Sequence, residues 1–231
     1  MIKIFADTSD IKEIKELNEH PLIQGFTTNP TLMRKAGVTD YERFCKEVLA
    51  VTGKPVSFEV FADEFDEMER QAWIISSWGE NVYVKIPIMN TKGQSTKQLT
   101  ANLAVWKGIK LNITAIMRYE QIGGLSIAIT NDNEDHILSI FAGRISDTGI
   151  NPIPCFQKLR SGCGCSAQIL WASTREVLNI YQAEEAGADI ITVTPEIFRK
   201  YEAMKNKDLQ ELSLDTVKQF FFDGKEAGFT L

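Results

Sequence analysis

The sequence predicts a single (β/α)8 barrel, the TIM-barrel class of α/β fold, with one additional C-terminal helix. Apolar, β-branched runs alternate with amphipathic segments, and this alternation implies parallel strands joined by right-handed crossovers. Eight such units fit into the 231 residues, and barrels of this kind usually need about 250. No GxGxxG or Walker sequence follows the first strand, which disfavours the competing doubly wound open sheet.

The predicted strands are short runs rich in β-branched and aromatic residues. In chain order they are IKIFADT (2–8), QGFTTN (24–29), PVSFEVF (55–61), NVYVKIP (81–87), KLNITAI (110–116), HILSIFAGR (136–144), AQILWAS (167–173) and DIITVT (189–194). The first connecting segment, DIKEIKELNEH, places Ile11, Ile14 and Leu17 on one helical face. Asp10 is the predicted N-cap of that helix, and Glu13 is its predicted capping-box partner.

The segment after residue 194 predicts an eighth helix and at least one more. We therefore expect one barrel domain over residues 1–231, in which 202–231 form a C-terminal helical extension. Phe220, Phe221 and Phe222 are consecutive, so they cannot all face the core side of their own helix. They are expected to pack on the outside of the barrel or against another subunit.

Composition excludes several classes of protein. A net charge of −6 gives no basic surface for nucleic acid or for an anionic membrane. The N-terminus has no secretory signal pattern, and no apolar run reaches the ~18 residues of a membrane span. We expect a cytoplasmic protein with reduced cysteines. The CGC sequence at 163–165 lacks a second pair or a nearby histidine, so no metal or cofactor is expected.

The carboxyl ends of the predicted strands are unusually polar. In (β/α)8 barrels these ends and the loops after them build the active site. Taken singly, Asp7 could cap a helix, Asn29 could start a turn with Pro30, and Arg144 could be a solvated end. Together they indicate a polar site at one barrel mouth. The residues at the strand ends are Asp7, Thr8, Thr28, Asn29, Glu59, Lys85, Asn112, Thr114, Ser139, Arg144, Ser173 and Arg175.

Lys85 lies within the apolar run VYVKIP, between Val84 and Ile86. Side chains alternate along a strand, so Lys85 faces opposite to these two neighbours. If its face is the barrel interior, loss of hydration favours the neutral amine, the form that attacks a ketone to give a Schiff base. The alternative is a lysine that pairs with Glu59 or Asp7 and extends outward to solvent.

The motifs FADTSD, GFTTNPTL, VYVKIP, NITAI, FAGRISDTG and WASTREV occur in this order over nearly the whole chain. Together they resemble the small, TalC-like branch of the transaldolases and the related fructose-6-phosphate aldolases. The resemblance implies that Lys85 forms the Schiff base with a ketose phosphate, and that Asp7 is the general acid/base. It implies that Glu59 and Thr114 position a catalytic water.

The resemblance also implies which residues bind the substrate and how the chain assembles. Sugar-phosphate substrates are the expected small-molecule partners, and a homo-oligomer is expected because small members of the family assemble through their C-terminal helices. The binding residues are Asn29, Thr28 and Ser139 toward the sugar, and Arg144, Ser173 and Arg175 toward the phosphate.

Two enzymes and one non-enzyme are compatible with this pattern. Two positions distinguish the enzymes. At the water-positioning site, transaldolases carry Glu and the aldolases Gln, and near the end of the sixth strand transaldolases carry Phe and the aldolases Tyr. This chain has Glu59 and Phe141 at these positions. Because a phenyl ring cannot help to protonate a carbanion, transfer of dihydroxyacetone in the pentose phosphate pathway is favoured over simple cleavage. A non-catalytic sugar-phosphate-binding barrel would have lost Lys85, Asp7 or Glu59.

The sequence departs from the family pattern at Thr174, where many relatives have an aromatic residue.

Overall fold

A computed structural model describes residues 2–123, 125, 136–162 and 167–231. Within them, eight parallel strands pair in chain order, and the eighth pairs with the first to close a barrel. The predicted (β/α)8 fold is confirmed, and the CGC sequence lies outside the described residues. The strands are β1 Lys3–Asp7, β2 Ile23–Thr27, β3 Val56–Glu59, β4 Val82–Pro87, β5 Leu111–Ile116, β6 Ile137–Ile140, β7 Gln168–Trp171 and β8 Ile190–Val193.

Helices connect the strands, and one more follows the last barrel helix. A short 3-10 helix at Tyr119–Gln121 follows β5. The α-helices in the described part of the chain are α1 Ile11–Asn18, α2 Pro30–Lys35, α3 Tyr41–Val51, α4 Phe65–Ser76, α5 Lys97–Lys107, α6 Ala142–Ser146, α7 Ile153–Gly162, α8 Leu178–Glu185, α9 Pro195–Met204 and α10 Leu209–Glu226.

Alternating side chains divide the sheet into an outer and an inner face. Val84 and Ile86 belong to the large apolar core between strands and helices. Inside the barrel a second, smaller cluster contains Phe5 and Tyr83. A Cβ at Gly25 would lie 2.6 Å from the Phe5 ring, so glycine makes room for this ring inside the barrel. The residues two positions further along these strands are the polar residues of the mouth.

The start of α1 is partly as predicted. Asp10 is its N-cap, because Asp10 Oδ1 accepts hydrogen bonds from the backbone N–H groups of Lys12 (2.7 Å) and Glu13 (3.3 Å). The predicted capping-box role of Glu13 is wrong. Its carboxylate instead accepts a hydrogen bond from the Thr8 hydroxyl at 2.7 Å, since the loop after β1 brings that hydroxyl within reach.

The last helix, α10, lies within the predicted extension at 202–231 and contains no buried residue. Its three consecutive phenylalanines are 68%, 64% and 60% exposed (Phe220, Phe221 and Phe222). None of the helices in the described ranges has the length and apolar character that a bilayer span requires. These three rings are thus mostly uncovered by the described part of this chain.

Candidate active site

A cavity of about 460 Å³ opens at the carboxyl ends of the strands. It brings together the site residues predicted from the sequence with three exceptions, Thr8, Thr28 and Asn112. Thr28 is fully buried and donates a hydrogen bond from its hydroxyl to the backbone oxygen of Ser57 at 3.0 Å. The structure instead places Thr27 in the wall. The predicted residues that line the cavity are Asp7, Asn29, Glu59, Lys85, Thr114, Ser139, Phe141, Arg144, Ser173 and Arg175.

Lys85 extends into this cavity from the inner face of β4 and is only 6% exposed. Its Nζ lies 3.2 Å from Glu59 Oε2 and donates a hydrogen bond to the backbone oxygen of Thr28 at 2.9 Å. The pairing with Glu59 considered from the sequence is therefore present, but the outward orientation is wrong. The amine is held at the cavity wall with its nitrogen beside a carboxylate.

Asp7 lies at the end of β1 and also reaches the cavity. Burial raises the pKa of its carboxyl group above the ordinary value. The positive charge of Lys85 and hydrogen bonds from Thr27 and Asn29 act in the opposite direction, while the negative charge of Glu59 adds to the rise. A carboxyl group with a raised pKa exchanges protons nearer to neutral pH, as a general acid/base requires.

Glu59 and Thr114 flank the lysine on β3 and β5. The Tyr41 hydroxyl donates a hydrogen bond to the backbone oxygen of Glu59 at 2.6 Å, which fixes the end of β3. The Thr114 hydroxyl is buried and has no hydrogen-bond partner among the described residues. Buried hydroxyls are usually satisfied, so this one is available to a water molecule or a substrate in the cavity.

A second set of polar contacts crosses the barrel beneath the mouth. Ser139 Oγ donates to Asn112 Oδ1 at 2.6 Å, and Asn112 Nδ2 donates to Ser57 Oγ at 3.0 Å. All three side chains are buried. Because the Ser139 proton is engaged by Asn112, the Ser139 oxygen is left as an acceptor toward the cavity. The contact to Ser57 was not expected, although a serine on the inner face of PVSFEVF is the signal that could have indicated it.

The opposite wall is built from the loops after β6 and β7. A Cβ at Gly143 would lie 1.6 Å from the backbone oxygen of Ser173, so only glycine allows the two loops to touch. Ser173 has a positive φ of 66°, a strained value for a residue with a side chain. The Arg144 guanidinium lies 5.1 Å from the centre of the Phe141 ring.

Arg175 differs from Arg144 in its partners. It forms a two-point ion pair with Asp147, in which Nη2 lies 2.5 Å from Oδ2 and Nε lies 3.1 Å from Oδ1. This pair lowers the pKa of the Asp147 carboxyl group. The guanidinium of Arg175 is thus already neutralised by a carboxylate, whereas that of Arg144 lies over an aromatic ring.

Sequence reasoning missed several cavity residues. Thr192 and Thr194 come from the run DIITVT, in which threonines alternate with apolar residues and therefore share the inner face. Thr31 and Leu32 lie at the start of α2, just after Asn29. Within the described ranges, no group of three or more His, Cys, Asp or Glu side chains is arranged to hold a metal ion.

Comparisons with known proteins agree on a family. The sequence model of the "Transaldolase/Fructose-6-phosphate aldolase" family matches residues 4–230. "Probable transaldolase 2" of Listeria monocytogenes is 36% identical over 202 residues, which cover 86% of this chain and 88% of the relative. "Probable transaldolase" of Brucella ovis is 33% identical over 218 residues, or 93% of this chain and 94% of the relative.

Two solved structures share the barrel at much lower identity. A type I 3-dehydroquinate dehydratase from Clostridium difficile superimposes with a TM-score of 0.55 at 14% identity, over 84% of each chain. A mandelate oxidase mutant gives a TM-score of 0.54 at 11% identity, over 84% of this chain and 63% of the other. At these identities the likeness concerns the fold alone.

Proposed function

Because this chain belongs to the transaldolase/fructose-6-phosphate aldolase family, we propose that it is a transaldolase acting through a lysine Schiff base. It transfers a dihydroxyacetone unit from a ketose phosphate, fructose 6-phosphate or sedoheptulose 7-phosphate, to an aldose phosphate. The observation that carries this proposal is the buried Lys85 amine, 3.2 Å from Glu59 in a cavity that also contains Asp7. We place the reaction in the pentose phosphate pathway of the cytoplasm.

In the first stage, Lys85 passes a proton to the adjacent Glu59 carboxylate, and its amine then attacks the C2 ketone of the donor and forms a C–N bond. The resulting carbinolamine loses its C2 hydroxyl as water and becomes an iminium ion. Departure of that hydroxyl requires a proton. Glu59, beside the Lys85 nitrogen, and Thr114, whose buried hydroxyl faces the cavity, are placed to deliver it through a water molecule.

In the second stage, the Asp7 carboxylate takes the proton of the donor's C4 hydroxyl. The C3–C4 bond breaks, its electron pair moves toward the iminium, and an aldose phosphate leaves. The dihydroxyacetone unit stays on Lys85 as an enamine. An acceptor aldehyde then forms a new C–C bond with it, and Asp7 returns its proton to the new hydroxyl. Water finally hydrolyses the resulting iminium, which breaks the C–N bond and releases the new ketose phosphate from Lys85. The pKa of Asp7, raised by burial, suits both directions of this transfer.

The wall of the cavity offers separate contacts for hydroxyls and phosphate. Asn29 and the Ser139 oxygen are the proposed partners of the dihydroxyacetone hydroxyls. Arg144 is the proposed phosphate anchor, since guanidinium groups bind phosphate through two hydrogen bonds. Ser173 assists from the strained loop, and Arg175, paired with Asp147, holds the shape of that loop.

Phe141 favours transfer over cleavage. Its ring lines the cavity and carries no acidic proton, so it cannot help to protonate the enamine and release free dihydroxyacetone. The intermediate therefore persists until an acceptor arrives. A fructose-6-phosphate aldolase, the other activity of the family, would release dihydroxyacetone without an acceptor.

We also propose that the protein is a homo-oligomer assembled through α10. In support, α10 and the residues after it expose several large apolar side chains, and exposed apolar surface marks protein–protein contacts. The residues concerned are Leu209, Leu214, Val217, Phe220, Phe221, Phe222 and, after the helix, Phe229.

Borohydride reduction tests the mechanism most directly. The protein is incubated with fructose 6-phosphate, reduced, and examined by intact mass and peptide mapping. The expected product is a single reduced dihydroxyacetone adduct on Lys85. An adduct on another lysine would show that the assignment is wrong, and an absence of any adduct would support the non-catalytic sugar-phosphate-binding barrel.

A further inference from the structure

Two threonine hydroxyl groups in a row connect Asp7 to the last strand of the barrel. Thr27 Oγ donates to Asp7 Oδ1 at 2.8 Å and lies 2.6 Å from Thr192 Oγ. The Thr192 backbone oxygen in turn accepts a hydrogen bond from the Thr174 hydroxyl at 2.7 Å. Asp7, Thr27 and Thr192 lie on β1 and on the two strands that pair with it.

The number of protons fixes the direction of these bonds. A threonine hydroxyl has one proton to donate. When the Thr27 proton goes to an ionised Asp7, the short contact to Thr192 requires Thr192 to be the donor. When Asp7 is protonated on its other carboxyl oxygen, Thr27 still donates to Oδ1 and the bonds stay as they are. When Asp7 is protonated on Oδ1, it can donate to Thr27 and Thr27 to Thr192, whose own hydroxyl then points its proton toward the cavity that it lines.

Both protonation states of Asp7 are therefore satisfied without movement of any heavy atom. At most the two hydroxyl protons rotate, and the transferred proton itself stays on Asp7. This property matters for a group that must act first as a base and then as an acid.

We propose that Thr27 and Thr192 are positioning residues that hold the Asp7 carboxyl group in one place through both of its protonation states. The inference rests on the proposed function, in which Asp7 takes a proton in the cleavage step and returns it in the addition step. Neither threonine exchanges a proton with the substrate in this scheme.

No charged residue of β2 or β8 holds the Asp7 carboxyl group in place. Lys85 on β4 and Glu59 on β3 act on the carboxyl group in opposite directions. The two strands next to β1, β2 and β8, contain no charged residue at all. On that side the hydroxyl pair is what stabilises the ionised carboxylate, together with the amide of Asn29 from the loop after β2.

The direct test is the titration of Asp7 in the unliganded protein. The protein is labelled with ¹³C at the aspartate side-chain carboxyl carbon, and Asp7→Asn identifies the resonance. Thr27→Val removes the donor and is expected to raise the pKa of Asp7 by about one unit, a tenfold gain in proton affinity. Thr192→Val, which weakens Thr27 as a donor, is expected to give a smaller increase in the proton affinity of Asp7, about threefold.

Conservative variants separate the hydroxyl from its surroundings. Thr27→Ser and Thr192→Ser keep the hydroxyl and are expected to titrate like the unchanged protein, and Thr192→Ala repeats the loss without the valine methyl groups. The acid limb of the kcat profile for transfer should move to higher pH in each hydroxyl-free variant. An Asp7 titration that is unchanged in Thr192→Val and Thr192→Ala would overturn the proposal.

The titration needs no substrate, so it is independent of the proposed function. A protein that shows the expected Asp7 shifts but transfers no dihydroxyacetone would retain the hydroxyl pair and disprove the transaldolase assignment. A protein that transfers dihydroxyacetone, but whose Asp7 titration is unchanged by substitution of either threonine, would support the transaldolase assignment and disprove the role of the hydroxyl pair.

Discussion

At the barrel mouth, charged and polar side chains are enclosed, whereas along α10 large apolar side chains are exposed. Lys85 is 6% exposed and has partners from β3 and the loop after β2. Phe220 is 68% exposed, and α10 buries no residue against the described part of the chain. Each arrangement costs free energy when taken alone, because buried charge and exposed apolar surface are both unfavourable.

The two regions differ in where the compensation lies. At the mouth it lies within the same chain, as carboxylates, hydroxyls and backbone oxygens that converge from neighbouring strands. At α10 it must come from outside, and we have proposed a second copy of the chain. Changes at the mouth should therefore alter chemistry without altering assembly, and changes in α10 should alter assembly without moving the Schiff base. The predictions below test that separation.

The largest effect is expected from Lys85→Met. Methionine retains much of the bulk of the side chain but removes the nucleophile, so turnover and borohydride trapping should both be lost while the oligomer keeps its mass. Lys110→Met is the matched control. Lys110 lies just before β5, at the other end of the barrel from the cavity, and donates a hydrogen bond to the backbone oxygen of Glu80. Turnover that survives in Lys85→Met would contradict the Schiff base.

Replacing all three phenylalanines of α10 by glutamine should dissociate the oligomer. Phe220, Phe221 and Phe222 are each at least 60% exposed in the isolated chain, so the barrel should still fold, and Lys85 should still be trapped by borohydride. Light scattering of the variant should give the mass of one chain. The control is Lys218→Gln on the same helix, and a wild-type protein that is already monomeric would disprove assembly through α10.

A smaller effect is expected from Arg144→Ala. Loss of a hydrogen bond to a charged group costs about 1.5–3 kcal/mol, which corresponds to a rise of roughly 10- to 150-fold in KM for phosphorylated substrates. Unphosphorylated glyceraldehyde as acceptor should be used almost as well as by the wild type. Arg43→Ala removes an arginine from a surface ion pair with Glu47 and serves as control. Equal losses with both acceptors would exclude the phosphate role.

These two regions also differ in how much the sequence alone could predict. The mouth was predictable because parallel strands bring their carboxyl ends together, so polar residues such as Lys85 and Asp7 could be placed by alternation alone. The error at Thr28 arose where β2 ends: Thr27 is its last residue and faces the cavity, and Thr28 is turned into the wall. One residue of uncertainty in a strand end reverses the direction of a side chain.

Contacts across the barrel could not be predicted from the sequence. The pairing of Thr27 with Thr192 joins residues 165 positions apart, and it depends on the closure of β8 against β1. The same holds for Arg175, whose partner Asp147 comes from the preceding loop. For α10, the sequence predicted the helix and showed the unusual run of aromatics. The partner surface that we propose for that run belongs to a second chain, so the fold of one chain does not show it.

The smallest effect is expected from Phe141→Tyr, which adds one hydroxyl to the mouth. A phenol near the enamine can help a proton to reach it, so release of free dihydroxyacetone should increase relative to transfer by about tenfold, short of the roughly 10²–10⁴-fold that a fully positioned acid or base contributes. Glu59→Gln should shift the balance in the same direction. One coupled assay with fructose 6-phosphate, run with and without erythrose 4-phosphate, measures the ratio. The oligomer mass should not change, because Phe141 lies in the cavity and far in sequence from α10. If the unchanged protein already cleaves fructose 6-phosphate as fast without acceptor as with it, the enzyme is an aldolase, and the phenyl ring does not decide between the two reactions.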